Sequence, residues 1–382
     1  MKPILLKKIF HNKLNFFPLI VIWLSINIIL FFNWRSGREL TLINQITSEQ
    51  VELELVISQL KDEHSNPHLE KQSKDHIENS LEDTEKQLYL NRDLLLAYEA
   101  KDYQKAYSMM AQKIAHNRKR LNNFQNSETV AALKRDEAYY RYLAEKNIKG
   151  DAIQPIFGWS FSFELWRDYL PILLTFALIF VLSQVFSQAH YHHLSIYLLC
   201  PGHFLLRTIK QIGGGLLFSI GAYLLSLLYS FTLASLFFER GSSDLPVLTY
   251  DDTLQMIWQP LENLLWQTSI LQIVSLLSLV STIYLIAFVV KDKLLACLVS
   301  FLSILGLMIL TYFIVPLQEV AHWIPYHYLQ SLAITTGHHH HAIQINRLEA
   351  DFGIFLNLTY SILLLGIIYL IDQFRRKKHK NA

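Results

Sequence analysis

The chain has 382 residues, of which 52% are hydrophobic and 17% are charged, and its formal net charge is +2. This balanced charge gives no indication of a nucleic acid partner. Two cysteines, Cys200 and Cys297, are too few for a disulfide framework. The apolar residues are gathered into several runs of about 20, and a helix of that length spans the hydrocarbon core of a bilayer. Composition therefore excludes the ordinary soluble globular class.

The first apolar run lies close to the N-terminus. It covers residues 16–33 and is preceded by Lys2, Lys7, Lys8 and Lys13. A basic stretch before an apolar run also begins a secretory signal peptide, but no small-residue cleavage site follows this run. We therefore expect a retained first transmembrane helix.

Residues 34–167 separate the first apolar run from the second and are rich in charged and amide side chains. Apolar residues recur there at steps of three and four, which predicts amphipathic helices. Pro67 ends the first helix, and Ser127 begins the last one. Between them, a pattern from Leu69 to Phe124 would make a helix of ~80 Å if it were unbroken. The narrow apolar stripe predicts an antiparallel coiled-coil hairpin.

Five further apolar runs lie within residues 168–372. They are Tyr169–Phe186, Gly214–Phe238, Leu264–Val290, Leu294–Val315 and Phe352–Ile371. Lys and Arg collect before the first run, after the second and fourth, and in the basic tail, 373–382. Cytoplasmic flanks of membrane helices collect these cations, so both termini are predicted to be cytoplasmic and 34–167 to be outside. The predicted fold is an all-α integral membrane protein with six transmembrane helices and a large extracytoplasmic helical insertion between helices 1 and 2.

Sequence motifs for nucleotide binding and hydrolysis are absent from the chain. It has no Gly-x-x-x-x-Gly-Lys-Ser/Thr loop, no His-Glu-x-x-His helix and no Gly-x-Ser-x-Gly elbow. We therefore expect no enzymatic activity and no cofactor in this chain.

One run of histidines stands out, in the predicted outer connection between the fifth and sixth helices. Its members are His338, His339, His340 and His341. Imidazoles bind zinc, copper and nickel, but four consecutive side chains point in different directions. A solvent-facing loop segment is the favoured interpretation, and a metal site is the alternative.

The cytoplasmic connection, residues 187–211, is predicted to form a short amphipathic helix on the membrane surface, followed by a basic lead into the third span. This pattern resembles the ATPase-coupling segment in permeases of type-2 ABC exporters. The matching residues are Leu194, Ile196, Leu198, Leu199, Pro201, Arg207 and Lys210. The family has an acidic residue at the start of this segment, and this chain has His190 or its neighbours there.

Two further segments resemble the same family. Residues 1–15 are similar to its amphipathic helix on the cytoplasmic face. Residues 316–350 are similar to its outer re-entrant segment, with Trp323, Pro325 and Tyr328 in the matching places. The resemblance covers the six spans and their connections, and the long insertion exceeds the family's minimal form.

The resemblance implies a permease subunit in the plasma membrane. Its implied partners are a second permease subunit, identical or related, and two cytoplasmic ABC ATPase subunits. ATP and magnesium would bind to the ATPases. A bacterial origin, export out of the cell and an amphipathic peptide, lipid-like molecule or drug as cargo follow as expectations. The alternative is a membrane sensor or scaffold whose extracytoplasmic coiled-coil domain binds a ligand or partner protein.

Overall fold

The structure is a computed structural model that describes residues 13–380, except 40, 66–70, 122–126, 151–153, 188–189, 192–193, 196–202, 245, 251–255 and 340–347. The chain is mostly helical. In chain order the helices are α1 (Phe17–Glu39), α2 (Leu42–His64), α3 (Lys71–Glu99), α4 (Tyr103–Leu121), α5 (Ser127–Lys146), α6 (Gly158–Ser187), α7 (Phe204–Phe237), α8 (Glu262–Val290), α9 (Lys293–Phe313), α10 (Val315–Glu319), α11 (Ser331–Thr335) and α12 (Ala350–Lys380). Nearly all of the predicted amphipathic helix at 1–15 lies outside the described residues.

Six helices within the described residues are long and apolar enough to cross a membrane, as the sequence predicts. They are α1, α6, α7, α8, α9 and α12. Their bounds differ from the predicted ones, because a helix continues past the apolar run wherever its backbone hydrogen bonds continue. Thus α6 begins at Gly158 rather than at 168, and α12 carries the start of the basic tail as helix to Lys380.

The mostly helical chain agrees with the predicted all-α membrane class, and two connections carry short strand pairs that the sequence analysis did not predict. A minimal antiparallel pair joins β1 (His190–Tyr191) to β2 (Leu194–Ser195) between α6 and α7. A longer antiparallel pair joins β3 (Pro246–Tyr250) to β4 (Met256–Pro260) between α7 and α8. Residues such as Val247, Tyr250 and Ile257 favour strands, and the two runs are short enough to pair locally.

The helix α8 lies at the centre of the membrane helices and packs against α6, α7, α9 and α12. Its buried face carries the small hydroxyl residues Ser275, Ser278, Ser281 and Thr282. Small side chains let helices approach closely in a bilayer, where hydrophobic burial cannot drive helices together. The Ser278 hydroxyl donates to the Asn357 carbonyl of α12 at 2.9 Å and lies 3.2 Å from the Ser361 hydroxyl.

The insertion between α1 and α6 contains four helices, α2 to α5, each packed on the next. Ion pairs Lys61–Glu85 and Arg92–Glu54 show that α2 and α3 are antiparallel. The pattern between Leu69 and Phe124 is divided between two helices, α3 and α4. The chain turns at Lys101, where φ is +61°, and the Asp102 carboxylate accepts a hydrogen bond from the Lys105 amide that starts α4.

The insertion and the connections α7–α8 and α9–α12 lie together at one end of the membrane helices, which we call the domain side. The Trp258 indole of β4 donates to the Arg135 carbonyl of α5 at 3.3 Å. The Tyr250 amide of β3 donates to the Thr336 carbonyl at 2.9 Å. The end that carries β1, β2 and the end of α12 is called the opposite side.

Replacing Gly353 by Ala tests the packing of α12 against the segment that precedes it. A Cβ atom at this position would lie 2.1 Å from the ring of Tyr328, which is fully buried. Overpacking of this kind costs about 1–3 kcal/mol, so we expect G353A to unfold at lower denaturant concentration in mild detergent. The control is Gly366→Ala in the same helix, where a Cβ meets nothing within 4 Å. Equal stability of the two variants would contradict this packing.

Candidate functional site

The predicted coupling segment, 187–211, lies on the opposite side. The described part begins with the β1–β2 pair, in which Tyr191 is opposite Leu194, so the predicted amphipathic helix is wrong there. Backbone pairing between 190–191 and 194–195 is a contact that apolar periodicity along a chain does not report. The matching residues outside the described part are Ile196, Leu198, Leu199 and Pro201.

The remaining two residues of that segment belong to the first turns of α7. Lys210 is exposed and Arg207 is half-buried. The start of α7 also contacts the basic end of α12. Arg376 lies over the Phe204 ring at 5.9 Å, and Arg375 donates to the Phe288 carbonyl of α8 at 3.2 Å. The opposite side therefore gathers cations from α7 and α12 around one junction.

The predicted re-entrant segment, residues 316–350, contains α10, two short 3-10 helices (Ala321–Trp323 and Pro325–Leu329) and α11. Its three matching residues differ in environment. Pro325 and Tyr328 are buried, and the Tyr328 hydroxyl donates to the His322 carbonyl at 3.0 Å. Trp323 is 59% exposed and packs edge-on against Phe352.

The segment returns into the bundle of membrane helices. The Tyr326 hydroxyl donates to the Thr282 hydroxyl of α8 at 3.2 Å and lies 3.0 Å from the Tyr360 hydroxyl of α12. Tyr360 is ten residues beyond Ala350 in α12, so this contact lies about 15 Å along that helix from its start. The contact places Tyr326 between α8 and α12.

The histidine run occupies the end of this segment. The interpretation as a solvent-facing loop is wrong for His339, whose side chain is only 4% exposed, and His338 is half-buried. His340 and His341 lie outside the described residues. The turn that follows α11 places the His339 ring edge-on to the Tyr312 ring of α9. The two ring centroids are 5.7 Å apart. A tertiary contact of this kind leaves no signal in a run of identical residues.

A second buried histidine, His327, lies beside His339 with 5.5 Å between ring centroids. Each ring has one nitrogen against a hydroxyl of α9. His327 Nε2 is 2.9 Å from the Thr311 hydroxyl, and His339 Nδ1 is 3.4 Å from the Tyr312 hydroxyl. The Tyr312 hydroxyl in turn donates to Gln330 Oε1 at 3.1 Å. Sequence reasoning missed His327, since nothing local distinguishes it from other histidines.

The other ring nitrogen of each histidine has no partner in the part of the chain that the structure describes. These atoms are His327 Nδ1 and His339 Nε2, and both are buried. A buried polar atom without a hydrogen bond costs about 1–3 kcal/mol. Two such atoms in adjacent rings mark this cluster as a candidate functional site.

Burial holds both rings in the neutral form at pH 7. It lowers the pKa of His327 to about 4. It also lowers the pKa of His339 to about 3, with a smaller contribution from repulsion by His327 and His338. Burial has this effect because it disfavours the charged imidazolium.

A cavity of about 470 Å³ lies elsewhere on the membrane helices, between α1 and α7. We call it the α1–α7 groove. Its lining consists of Asn27, Leu30, Phe31, Trp34, Leu233, Phe237 and Phe238. The only polar lining side chain, Asn27, donates to the Tyr229 hydroxyl at 2.8 Å. The groove is thus apolar, with one amide held in place by a neighbouring tyrosine.

Comparison with protein-family models, with curated proteins and with solved structures finds no match to this chain. Within the described residues, no three His, Cys, Asp or Glu side chains come together as ligands for a metal ion.

The two buried histidines predict a stability that falls in mild acid. Their pKa values are lower in the folded chain than the ordinary 6.5, so the unfolded chain binds more protons between pH 6.5 and about 4. Above pH 6.5 the neutral rings make their full contribution to the free energy of unfolding. Lowering the pH to 5 reduces this free energy by up to about 2 kcal/mol for each ring. Denaturant unfolding in detergent with EDTA, at pH 7.5 and pH 5, measures this difference.

His327→Gln is expected to reduce the pH dependence, because its side chain does not titrate. The matched control is His203→Gln, an exposed histidine on the opposite side. If H327Q kept the full pH dependence of the parent chain, the neutral buried ring would be contradicted.

Proposed function

We propose that the chain is the permease subunit of an ATP-driven exporter of the type-2 ABC class. The observation that carries the proposal is a set of six membrane-length helices in a chain without a phosphate-binding loop of its own. Energy must then come from a partner. In this proposal two cytoplasmic ATPase subunits bind ATP and magnesium, and a second permease subunit completes the transporter.

The opposite side is proposed to face the cytoplasm and to receive the ATPases. Its support is the group of cations at the junction of α7 and α12, since cytoplasmic flanks collect Lys and Arg. On this assignment both termini are inside and the inserted helical domain is outside the plasma membrane of a bacterial cell. Arg207 and Lys210 then lie where an ATPase surface reaches the first turns of α7.

The helix α7 is the element proposed to transmit ATPase closure. Most of its surface is exposed, whereas most of α6 is buried. Only a helix with few fixed neighbours can take two positions at moderate cost, and coupling requires two states that the ATPases favour differently. Its domain-side end reaches the insertion, where Glu239 pairs with Lys149 at 2.5 Å.

The α1–α7 groove supports an amphipathic cargo. It offers aromatic and aliphatic walls with a single amide, a combination that suits an acyl chain or an apolar peptide face rather than a charged solute. Two of the buried hydroxyl residues of α8 are engaged in contacts with neighbouring segments and do not line this groove. Ser278 bonds to α12, and Thr282 bonds to Tyr326.

A sensor or scaffold remains the second candidate, and one contact favours it. The α5 helix of the insertion touches β4 through Arg135 and Trp258, so a ligand on the insertion would alter a connection of the membrane helices. Purification in mild detergent separates the two functions. An ABC ATPase in the isolated complex supports export, and a kinase or receptor in its place supports sensing.

Arg207→Ala combined with Lys210→Ala is expected to weaken ATPase association about tenfold, equivalent to ~1.4 kcal/mol, because two cations leave the docking surface. Quantitative co-purification of the ATPase with the double variant measures this change. Lys105→Ala combined with Lys119→Ala is the control, since it removes two exposed cations from α4 on the domain side. An unaltered yield of ATPase with the double variant would contradict the docking surface.

Leu233→Trp is expected to fill the α1–α7 groove and to lower transport of an amphipathic probe about tenfold at unchanged ATPase association. The assay uses vesicles that contain the complex and a fluorescent short-chain phospholipid. Leu236→Trp on the same helix is the control, because that side chain is 82% exposed and does not line the groove. Equal transport by the two variants would remove the groove from the cargo path.

A further inference from the structure

Two buried histidines, His327 and His339, lie side by side in the α9–α12 connection. Each ring presents one buried nitrogen without a partner among the described residues, His327 Nδ1 and His339 Nε2. Each has its other nitrogen against a hydroxyl of α9, from Thr311 or Tyr312. Histidines that bind metals are oriented in the same way, by a hydrogen bond at the nitrogen that does not bind the ion.

We propose that His327 and His339 together bind one divalent transition-metal ion that prefers imidazole ligands, such as Zn²⁺ or Cu²⁺. The inference concerns this pair alone and holds whether or not the chain is an export permease. It replaces a site made of the four consecutive histidines by a site made of two histidines that are separate in sequence.

The spacing of the rings fits a shared ion. A Zn–N bond of about 2.0–2.1 Å places a ring centroid roughly 3.2 Å from the ion, so two imidazoles at a tetrahedral angle have centroids about 5.3 Å apart. The observed separation is 5.5 Å. The rings are inclined at 44°, so they do not stack face to face. This inclination is compatible with two ligands of one ion.

The protonation state of the pair also fits. Burial lowers the pKa of both rings, so at pH 7 each offers a neutral nitrogen and need not release a proton to bind an ion. Two protein nitrogens leave open positions on a four-coordinate ion, which water can fill. The expected site is therefore weaker than a closed structural site with four protein ligands.

An ion at this position would join two parts of the α9–α12 connection. His327 belongs to the 3-10 helix Pro325–Leu329, and His339 follows α11. Both rings lie against the end of α9. Since the ion binds only the folded arrangement, its binding would raise the unfolding temperature of the chain.

The test uses the full chain, purified with a tag that contains no histidine and stripped with EDTA. Zn²⁺ is titrated by calorimetry and by thermal unfolding, and Cu²⁺ is examined by electron paramagnetic resonance. We expect one Zn²⁺ per chain at the pair, a higher unfolding temperature, and two coordinating nitrogens on Cu²⁺. His327→Asn and His339→Asn are each expected to weaken Zn²⁺ binding at least about tenfold.

Two control variants distinguish Zn²⁺ binding at this pair from non-specific binding by other histidines. His340→Ser combined with His341→Ser removes the rest of the run, and His203→Asn removes an exposed histidine on the opposite side. Both controls are expected to keep the Zn²⁺ affinity and the rise in unfolding temperature. Loss of binding in the His340/His341 variant together with retention in H327N and H339N would overturn the proposal.

The resonance spectrum of the unaltered chain gives a result that does not depend on how the variants fold. Coupling of Cu²⁺ to two imidazole nitrogens supports the pair. Coupling to one nitrogen or to none, with the stripped chain otherwise folded, overturns it.

Discussion

The packing of α8 is the interaction on which the membrane part of the structure depends. Its buried small hydroxyl residues let neighbouring helices approach, and its polar side chains bond across the gaps. Three of these bonds hold the α9–α12 connection. The Ser331 hydroxyl donates to Gln272 Oε1 at 2.6 Å, the Tyr326 hydroxyl donates to the Thr282 hydroxyl at 3.2 Å, and the Thr268 and Thr335 hydroxyls lie 2.7 Å apart. A non-helical segment can lie among membrane helices only where such partners satisfy it, because lipid offers none.

This arrangement explains why the α9–α12 connection is the most specialised part of the membrane domain. Its side chains Tyr326, Ser331 and Thr335 bond to α8, and its buried histidines lie against hydroxyls of α9. The buried rings of His327 and His339 are thus kept in a fixed arrangement, with two nitrogens left over. Unpartnered polar atoms are costly in any folded protein, and they persist where a ligand or a functional state compensates for them. The proposed metal ion would be such a ligand.

The helix α7 connects the remaining features. Its first turns carry Arg207 and Lys210 on the opposite side. Its last turns line the α1–α7 groove, and its end leads to the Glu239 contact with the insertion. One exposed, rigid helix therefore touches the proposed ATPase surface, the proposed cargo groove and the inserted domain. Displacement of α7 would reach all three, which is the physical requirement for coupling between distant sites. The insertion then has a route by which to influence transport, or to signal in the sensor alternative.

The sequence by itself determined the membrane class of the protein, its six long helices and the helices of the insertion. These are local properties, since apolar run length, three-four periodicity and Ser127 as a helix start can be read without knowing any contact. The sequence did not reveal the chain turn that separates α3 from α4. The turn at Lys101 escaped because the residues around it are all compatible with helix. Only the tertiary structure decided the β1–β2 and β3–β4 pairs, the burial of His339 and its meeting with His327. Each of these depends on partners that are distant in sequence or on backbone pairing, and neither changes the pattern of residue types along the chain.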